Sequence, residues 1–341
     1  MRLFFKIILF AGLLISNTIP AAAQGFSEVG SYSFTWEGIF ASGRLSALGG
    51  SDLADGSPAS VLINPAPLAR PNGIELGYDH ADYFRGVEII TKAASAQWNA
   101  WRLNVAVQDF AIDDVLVRTA YNPEGTGETF DILDRMTVMG LSYDLGNSLF
   151  DMRTLRWSVG GALRHYSYNF IDFSESADSF DLGTTVRWAR DFHGGWTNIT
   201  GAISWQNISD TTVPFDDKEA HLPRPLRFGV TMETAFDWAG HQGNFLKVLL
   251  AYTHCHQMGD TYVDDSEHIG LESVFFDTFA IRWGHSSRVT GDIGSWGIGL
   301  ILDGRLLGPF TVHADMGEMG YNNILTNESE TIWGLRVGYN F

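Results

Sequence analysis

Hydrophobic and polar positions alternate along most of this chain with a period of two, from about Gly73 to the last residue. The final segment shows the pattern most plainly. Between Thr331 and Phe341, the residues Trp333, Leu335, Val337, Tyr339 and Phe341 fall on one side, and Gly334, Arg336, Gly338 and Asn340 fall on the other. Successive side chains of a β-strand point to opposite faces, so this predicts a strand with one apolar, aromatic face and one small or polar face. The same division recurs elsewhere. Trp296, Ile298, Leu300 and Leu302 oppose Gly297, Gly299 and Asp303; Leu226, Phe228, Val230 and Met232 oppose Arg227, Gly229, Thr231 and Glu233; Trp101, Leu103, Val105 and Val107 oppose Arg102, Asn104, Ala106 and Gln108. A soluble sandwich would alternate as well, so the pattern predicts strands without saying what surrounds them.

The spacing of the strands adds that information. Fourteen are predicted, centred near residues 77, 91, 105, 140, 160, 184, 202, 230, 250, 271, 281, 299, 313 and 336. Single-chain bacterial membrane barrels have even strand numbers, with short turns at one end and long loops at the other. Here compact connections such as 276–278 and 304–309 alternate with longer, mostly acidic ones at 113–130, 166–179, 207–224, 257–267 and 317–330. The expectation is an all-β fold: a 14-stranded antiparallel transmembrane β-barrel over residues 73–341, with both barrel termini in the periplasm. Tyr339 and Phe341, at the end of the closing strand, resemble the terminal aromatic signal read by barrel-assembly machinery.

The first residues read differently. Met1, Arg2 and Lys6 precede an apolar run from Ile7 to Ile15, and Ala21, Ala22 and Ala23 precede Gln24. That order predicts a cleaved secretory signal peptide over residues 1–23, and with it export to the outer membrane. The apolar run is shorter than the roughly 20 residues a membrane helix needs, and no later stretch reaches that length. Mean hydropathy is −0.02. The 23 Phe, 11 Trp, 11 Tyr and 37 Gly suit strands and tight turns, and a net charge of −18 argues against nucleic acid as a partner. The segment 24–72 does not alternate and is expected to form a small hatch in or against the periplasmic mouth of the barrel. Its apolar residues Phe34, Trp36, Ile39, Phe40, Leu45 and Leu48 need cover from water. Ser42 is placed to cap a short helix ending at Gly49 and Gly50, and Asn64 followed by Pro65 predicts a second helix start.

Candidate chemistry is sparse. The inward faces of the strands carry Arg102, Arg156, Arg164, Arg187, Arg227, Glu233, Glu272, Arg282, Asp315 and Arg336. These define either a polar path or charges that pair with one another and with the hatch, because an unpaired buried charge is costly. In His254-Cys255-His256 the two histidines share a face that Cys255 does not, so the three cannot chelate one ion and no metal site is predicted. The acidic run Asp260, Asp264, Asp265 and Glu267 lacks the spacing of a calcium loop. Gly49-Gly50-Ser51-Asp52-Leu53 misses the second glycine of a nucleophile elbow, and there is no H-E-x-x-H. No catalytic residue and no cofactor is predicted.

Two motifs in the hatch carry a resemblance. Gly43-Arg44-Leu45-Ser46-Ala47-Leu48-Gly49-Gly50 and Ala59-Ser60-Val61-Leu62-Ile63-Asn64-Pro65-Ala66-Pro67-Leu68 resemble the N-terminal pattern of the PorV/PorQ outer-membrane family, relatives of the FadL fatty-acid transporters. Leu222-Pro223 to Leu226-Arg227-Phe228-Gly229 and His268-Ile269-Gly270-Leu271-Glu272 also look like the family. The resemblance implies a fourteen-stranded barrel with an internal hatch whose motif residues are Ala47, Leu48, Gly49, Gly50, Asn64, Pro65 and Ala66. It also implies one of two functions. A PorV-type member is a carrier linked to type IX protein secretion, with a translocon and its secreted proteins as partners. A FadL-type member is a channel for hydrophobic small molecules. Outer-membrane lipid surrounds the barrel in either case.

Overall fold

In a computed structural model of the chain, the described residues are 42–66, 72–83, 86–117, 121–146, 154–170, 173–209, 211–215, 218–237, 243–258, 265–288, 291–323 and 326–341. The expected signal peptide, the residues Phe34, Trp36, Ile39 and Phe40, and the acidic positions Asp260 and Asp264 lie outside them.

Fourteen strands close into one antiparallel barrel. In chain order they are β1 (Gly73–Tyr83), β2 (Val87–Trp98), β3 (Trp101–Leu116), β4 (Thr129–Asp144), β5 (Leu155–Phe170), β6 (Phe173–Phe192) and β7 (Gly195–Trp205), then β10 (Pro225–Asp237), β11 (Asn244–Gln257), β12 (Ser266–Phe275), β13 (Phe279–Arg288), β14 (Gly291–Leu302), β15 (Phe310–Asn323) and β16 (Thr326–Asn340). Between β7 and β10, the short strands β8 (Thr212–Phe215) and β9 (Lys218–His221) pair with each other outside the barrel. Every barrel strand bonds to its neighbours in sequence, and β1 closes the ring on β16 from Gly73 opposite Asn340 to Ala81 opposite Ile332. Closure leaves no strand edge with unpaired backbone groups.

The two faces divide as the sequence pattern predicts. On β16, Trp333, Leu335, Val337 and Tyr339 are exposed while Ile332, Gly334, Arg336 and Gly338 are buried. Large apolar side chains are exposed in the same way on each of the fourteen barrel strands, so the outer surface is a largely apolar belt, interrupted by Lys92 on β2. Such a surface is unstable in water and is what hydrocarbon requires. Aromatic residues gather at the end where the chain enters and leaves the barrel, hereafter the terminal end: Trp101 lies 4.5 Å from Tyr143, Phe245 5.3 Å from Phe276 and Phe310 5.2 Å from Tyr339, between ring centroids. Aromatic girdles of this kind mark the rims of membrane barrels. The Phe341 N–H donates to Asn72 O at 3.1 Å, continuing the β16 to β1 seam.

Connections at the terminal end are compact. At 276–278, Phe276 and Asp277 take φ of 55° and 54°, and the Asp277 carboxylate receives the Asn244 backbone N–H at 2.7 Å and Lys247 at 2.9 Å, tying adjacent turns together. The 304–309 connection contains one turn of helix at Gly304–Leu307.

A basic residue on the belt tests its setting. Val230, exposed near the middle of β10, should tolerate arginine poorly. Val230→Arg is expected to lower unfolding stability in lipid vesicles by about 2–4 kcal/mol, the cost at a bilayer midplane. Urea titration reads this, and an unchanged midpoint would place the belt outside hydrocarbon.

Candidate functional site: a hatch latched inside the barrel

Residues 42–66 run through the lumen. A short helix, α1 (Gly43–Ala47), begins after Ser42, whose extended φ of −129° fits a cap position although its hydroxyl makes no capping bond. The Gly43 N–H instead donates to Asp79 Oδ1 on β1 at 3.0 Å, so a wall carboxylate does the capping. The helix ends where the sequence predicts. Gly49 and Gly50 have φ of 62° and 76°, and Gly50 N donates to Leu45 O at 2.8 Å, the left-handed closure for which glycine is suited.

The helix expected to start at Asn64-Pro65 would run into residues 67–71, which lie outside those described. A one-turn 3-10 helix precedes it at Pro58–Leu62, and Pro65 and Ala66 are not helical. Asn64 is drawn into local bonds: its amide donates to Leu53 O at 2.9 Å and its Oδ1 accepts from Ala66 N at 3.0 Å. An asparagine oxygen that accepts the N–H two residues on serves turns and helix caps alike.

The hatch sits against glycines of the inner wall. A Cβ on Gly297 would collide with Ala47, and one on Gly284 with the backbone at Leu48 and Gly49, so these strands let the helix approach backbone to backbone. Pro65 lies against Gly160 and Gly183 in the same manner. The irregular hatch backbone needs partners because lumen space offers it no ladder. Wall side chains supply them: His268 bonds Gly49 O at 2.7 Å, Thr253 Ser51 O at 2.6 Å, Arg102 Gly56 O at 2.7 Å, Gln206 Leu62 O at 2.6 Å, Ser204 Ile63 O at 2.6 Å and Thr185 Ala66 O at 3.1 Å.

Charge completes the attachment. Arg44 of α1 holds Asp52 at 2.9 Å and Asp55 at 3.0 Å within the hatch, and reaches Glu272 on β12 with two bonds of 3.0 and 3.1 Å. Glu272 also bonds Arg282, which pairs with Asp315 at 2.8 Å; Asp315 pairs with Arg336 at 3.0 Å. The network thus passes from hatch to wall through β12, β13, β15 and β16. Burial acts to lower the Arg44 pKa, but Glu272, Asp52 and Asp55 outweigh it and hold the group well above its ordinary value. Burial pushes the Asp52 carboxyl up, against the pull of Arg44.

Of the ten inward charges named from the sequence, Glu272, Arg282, Asp315 and Arg336 meet in this latch. Arg164 forms a separate buried pair with Asp181 at 2.6 Å and also donates to Leu62 O at 3.0 Å. Arg102 holds Gly56 O, and Arg156 lies 3.6 Å from Asp144. Arg187 and Glu233 line a cavity on the terminal side of the hatch, and Arg227 is buried on β10. Arg44, Asp52, Asp55 and Asp181 were missed; a basic residue followed by two acids in a segment expected inside the lumen was the available signal. Cys255 is buried on the inward face, while His256 on the outward face bonds Asp265 at 2.9 Å. Among the described residues, His80, Asp82 and Glu88 bring ligand atoms within 4.8 Å of one another on the outer wall.

These features define a class: a closed fourteen-stranded barrel with an apolar exterior and a hatch latched in its lumen. No protein-family model matches the chain, and no curated protein matches it. Among solved structures it is similar to the Ralstonia pickettii toluene transporter TbuX, at 11% identity over 91% of this chain and 100% of that one, with a TM-score of 0.49. It is similar also to the monoaromatic hydrocarbon channel CymD, at 10% identity over 89% and 98% with a TM-score of 0.46, and to a Pseudomonas aeruginosa FadL homologue, at 9% over 88% and 98% with a TM-score of 0.45. At that distance they carry nothing about what this chain binds, and the fold rests on its own strand pairing.

Removing the hatch cation should unseat it. Arg44→Ala leaves Asp52, Asp55 and Glu272 buried without their shared partner, a loss of about 3–5 kcal/mol by the usual scale for a broken buried pair. In a Cys255→Ser background, a cysteine replacing the buried Ser46 should resist a water-soluble maleimide, and adding Arg44→Ala should make it react. Equal labelling of the two proteins would show that the latch does not hold the hatch.

Proposed function

We propose that this protein is an outer-membrane barrel that admits hydrophobic small molecules into its lumen from the outer side, with the hatch as the gate. Residues 1–23 serve as the cleaved signal, 24–72 as the hatch segment and 73–341 as the barrel. The supporting observation is the inner wall between the hatch and the end opposite the terminal end. On six neighbouring strands, from β14 through the closure seam to β3, inward positions of that half are Ile293, Met319, Ile332, Ala81, Ile89 and Phe110, and they pack into one apolar cluster. Within this cluster a polar solute finds no hydrogen-bond partner, Thr91, Gln108 and Glu330 lying at the adjoining inward positions. An apolar solute loses water-exposed area there, worth about 25 cal/mol per Å². A lumen built only to be sealed has no need of it.

A second reading, a carrier for secreted proteins as in the PorV branch, is favoured by the latch itself. A plug held by a charge network and by bonds to its carbonyls suits a permanent seal, and the β8–β9 hairpin, a sheet separate from the barrel's, offers a protein partner a place to dock.

The two readings part on uptake. Ile332→Asn and the milder Ile293→Gln should each reduce entry of a radiolabelled aromatic hydrocarbon several-fold in cells carrying normal amounts of heat-modifiable barrel. Uptake unaffected by both changes, with a secreted protein recovered on the purified barrel, would favour the carrier.

A further inference from the structure

The terminal side of the lumen holds two arginines that the latch does not use, beside a cavity whose lining also includes the latch residues Arg44, Asp52, Asp55 and Glu272. Arg156 on β5 and Arg187 on β6 are direct register partners, and both belong to the inward face. Side chains so placed have Cβ atoms about 4.5–5.5 Å apart, and like charges there repel. Asp144 approaches Arg156 at 3.6 Å. Arg187 makes no ion pair or hydrogen bond among the described residues, and its Nε is buried without a partner. A half-buried guanidinium opposite a second one, with Asp144 and Glu233 as the carboxylates acting on it, is thus left with hydrogen-bonding capacity unused.

Arg187 also lines a cavity of about 250 Å³, space for about eight waters at roughly 30 Å³ each. Around it the register sets a row of hydrogen-bonding side chains: Thr200 is opposite both Arg187 and Thr231, and Asn198 is opposite Glu233. These residues all line the same cavity. Lys247, a further lining cation, is held by Asp277.

We propose that Arg187, with Arg156 beside it, binds the oxyanion group of a small polar solute, a phosphate or a carboxylate, in this cavity. The guanidinium fork matches either group with two parallel bonds. Thr200 and Asn198 supply neutral donors next to it. Glu233 on the facing strand sets the second requirement: it repels a solute with two anionic ends and accepts one whose other end is a hydrogen-bond donor or a cation. The site faces the lumen rather than the lipid belt, so the ligand is a dissolved solute and not a lipid headgroup. It is independent of the apolar wall beyond the hatch and stands whichever way uptake of hydrocarbons turns out.

Isothermal titration of the full chain in an uncharged maltoside detergent tests this, with sodium phosphate and sodium acetate as separate probes and sodium chloride at equal ionic strength as the control. Saturable binding of at least one probe is expected. Arg187→Gln should weaken it tenfold or more, and Arg156→Gln several-fold, with heat-modifiability of the barrel unchanged. Glu233→Gln should leave the affinity equal or higher. If Arg187→Gln does not fold, Arg187→Lys, which keeps the charge and loses the fork, should still bind more weakly than the parent. No saturable heat with either anion, or binding unaltered by the folded Arg187 variant, overturns the proposal. Competition by phosphatidylglycerol added to the micelles would assign the site to a lipid and overturn it as well.

Discussion

A guanidinium inside a barrel has to be answered by carboxylates on more than one side, and Arg44 is answered by Asp52 and Asp55 from its own segment and by Glu272 from the wall. Meeting that requirement fixes much else. Glu272 is shared with Arg282, Arg282 with Asp315, and Asp315 with Arg336, so the position of one hatch side chain is coupled to four strands. Asp315 and Asp79 then bracket α1, the first through its neighbours and the second by capping Gly43. Buried ion pairs contribute little net stability against an apolar alternative, but they are unforgiving of a missing member. What such a network supplies is one seat for the hatch rather than a strong one.

Around that seat the interior divides. On the terminal side the wall presents arginines, threonines, asparagine and glutamate with Leu249 and Ile301 around water-sized space, while beyond the hatch one sector presents Ile89, Met319 and Ile332 beside Gln108, Asp134 and Glu330.

The barrel was legible because its signal repeats: a two-residue period over 73–341, even in strand number, is written fourteen times and each strand corroborates its neighbours. The close of α1 at Gly49 and Gly50 was legible because left-handed backbone nearly demands glycine. The inward charges were legible by face, since Arg282 or Asp315 must point away from Leu300 and Met316. Their partners were not, because pairing depends on register across strands and on a hatch that follows no period. The Asn64 amide is committed to Leu53 eleven positions earlier, a contact that local propensity does not contain. The small inward residues such as Gly297 and Gly317 read as mere absence of side chain; their meaning, room for Ala47 and Gly43, exists only once the ring is closed.

That room has a consequence in time. The wall that receives α1 is made chiefly by β13 to β16, the last part of the chain, whereas α1 lies near its beginning. Contacts of such large sequence separation form late, because the long loop between them must close first. The hatch segment thus has no complete seat until the final strands have joined the ring, and its docking is a report, written by the chain itself, that assembly has finished.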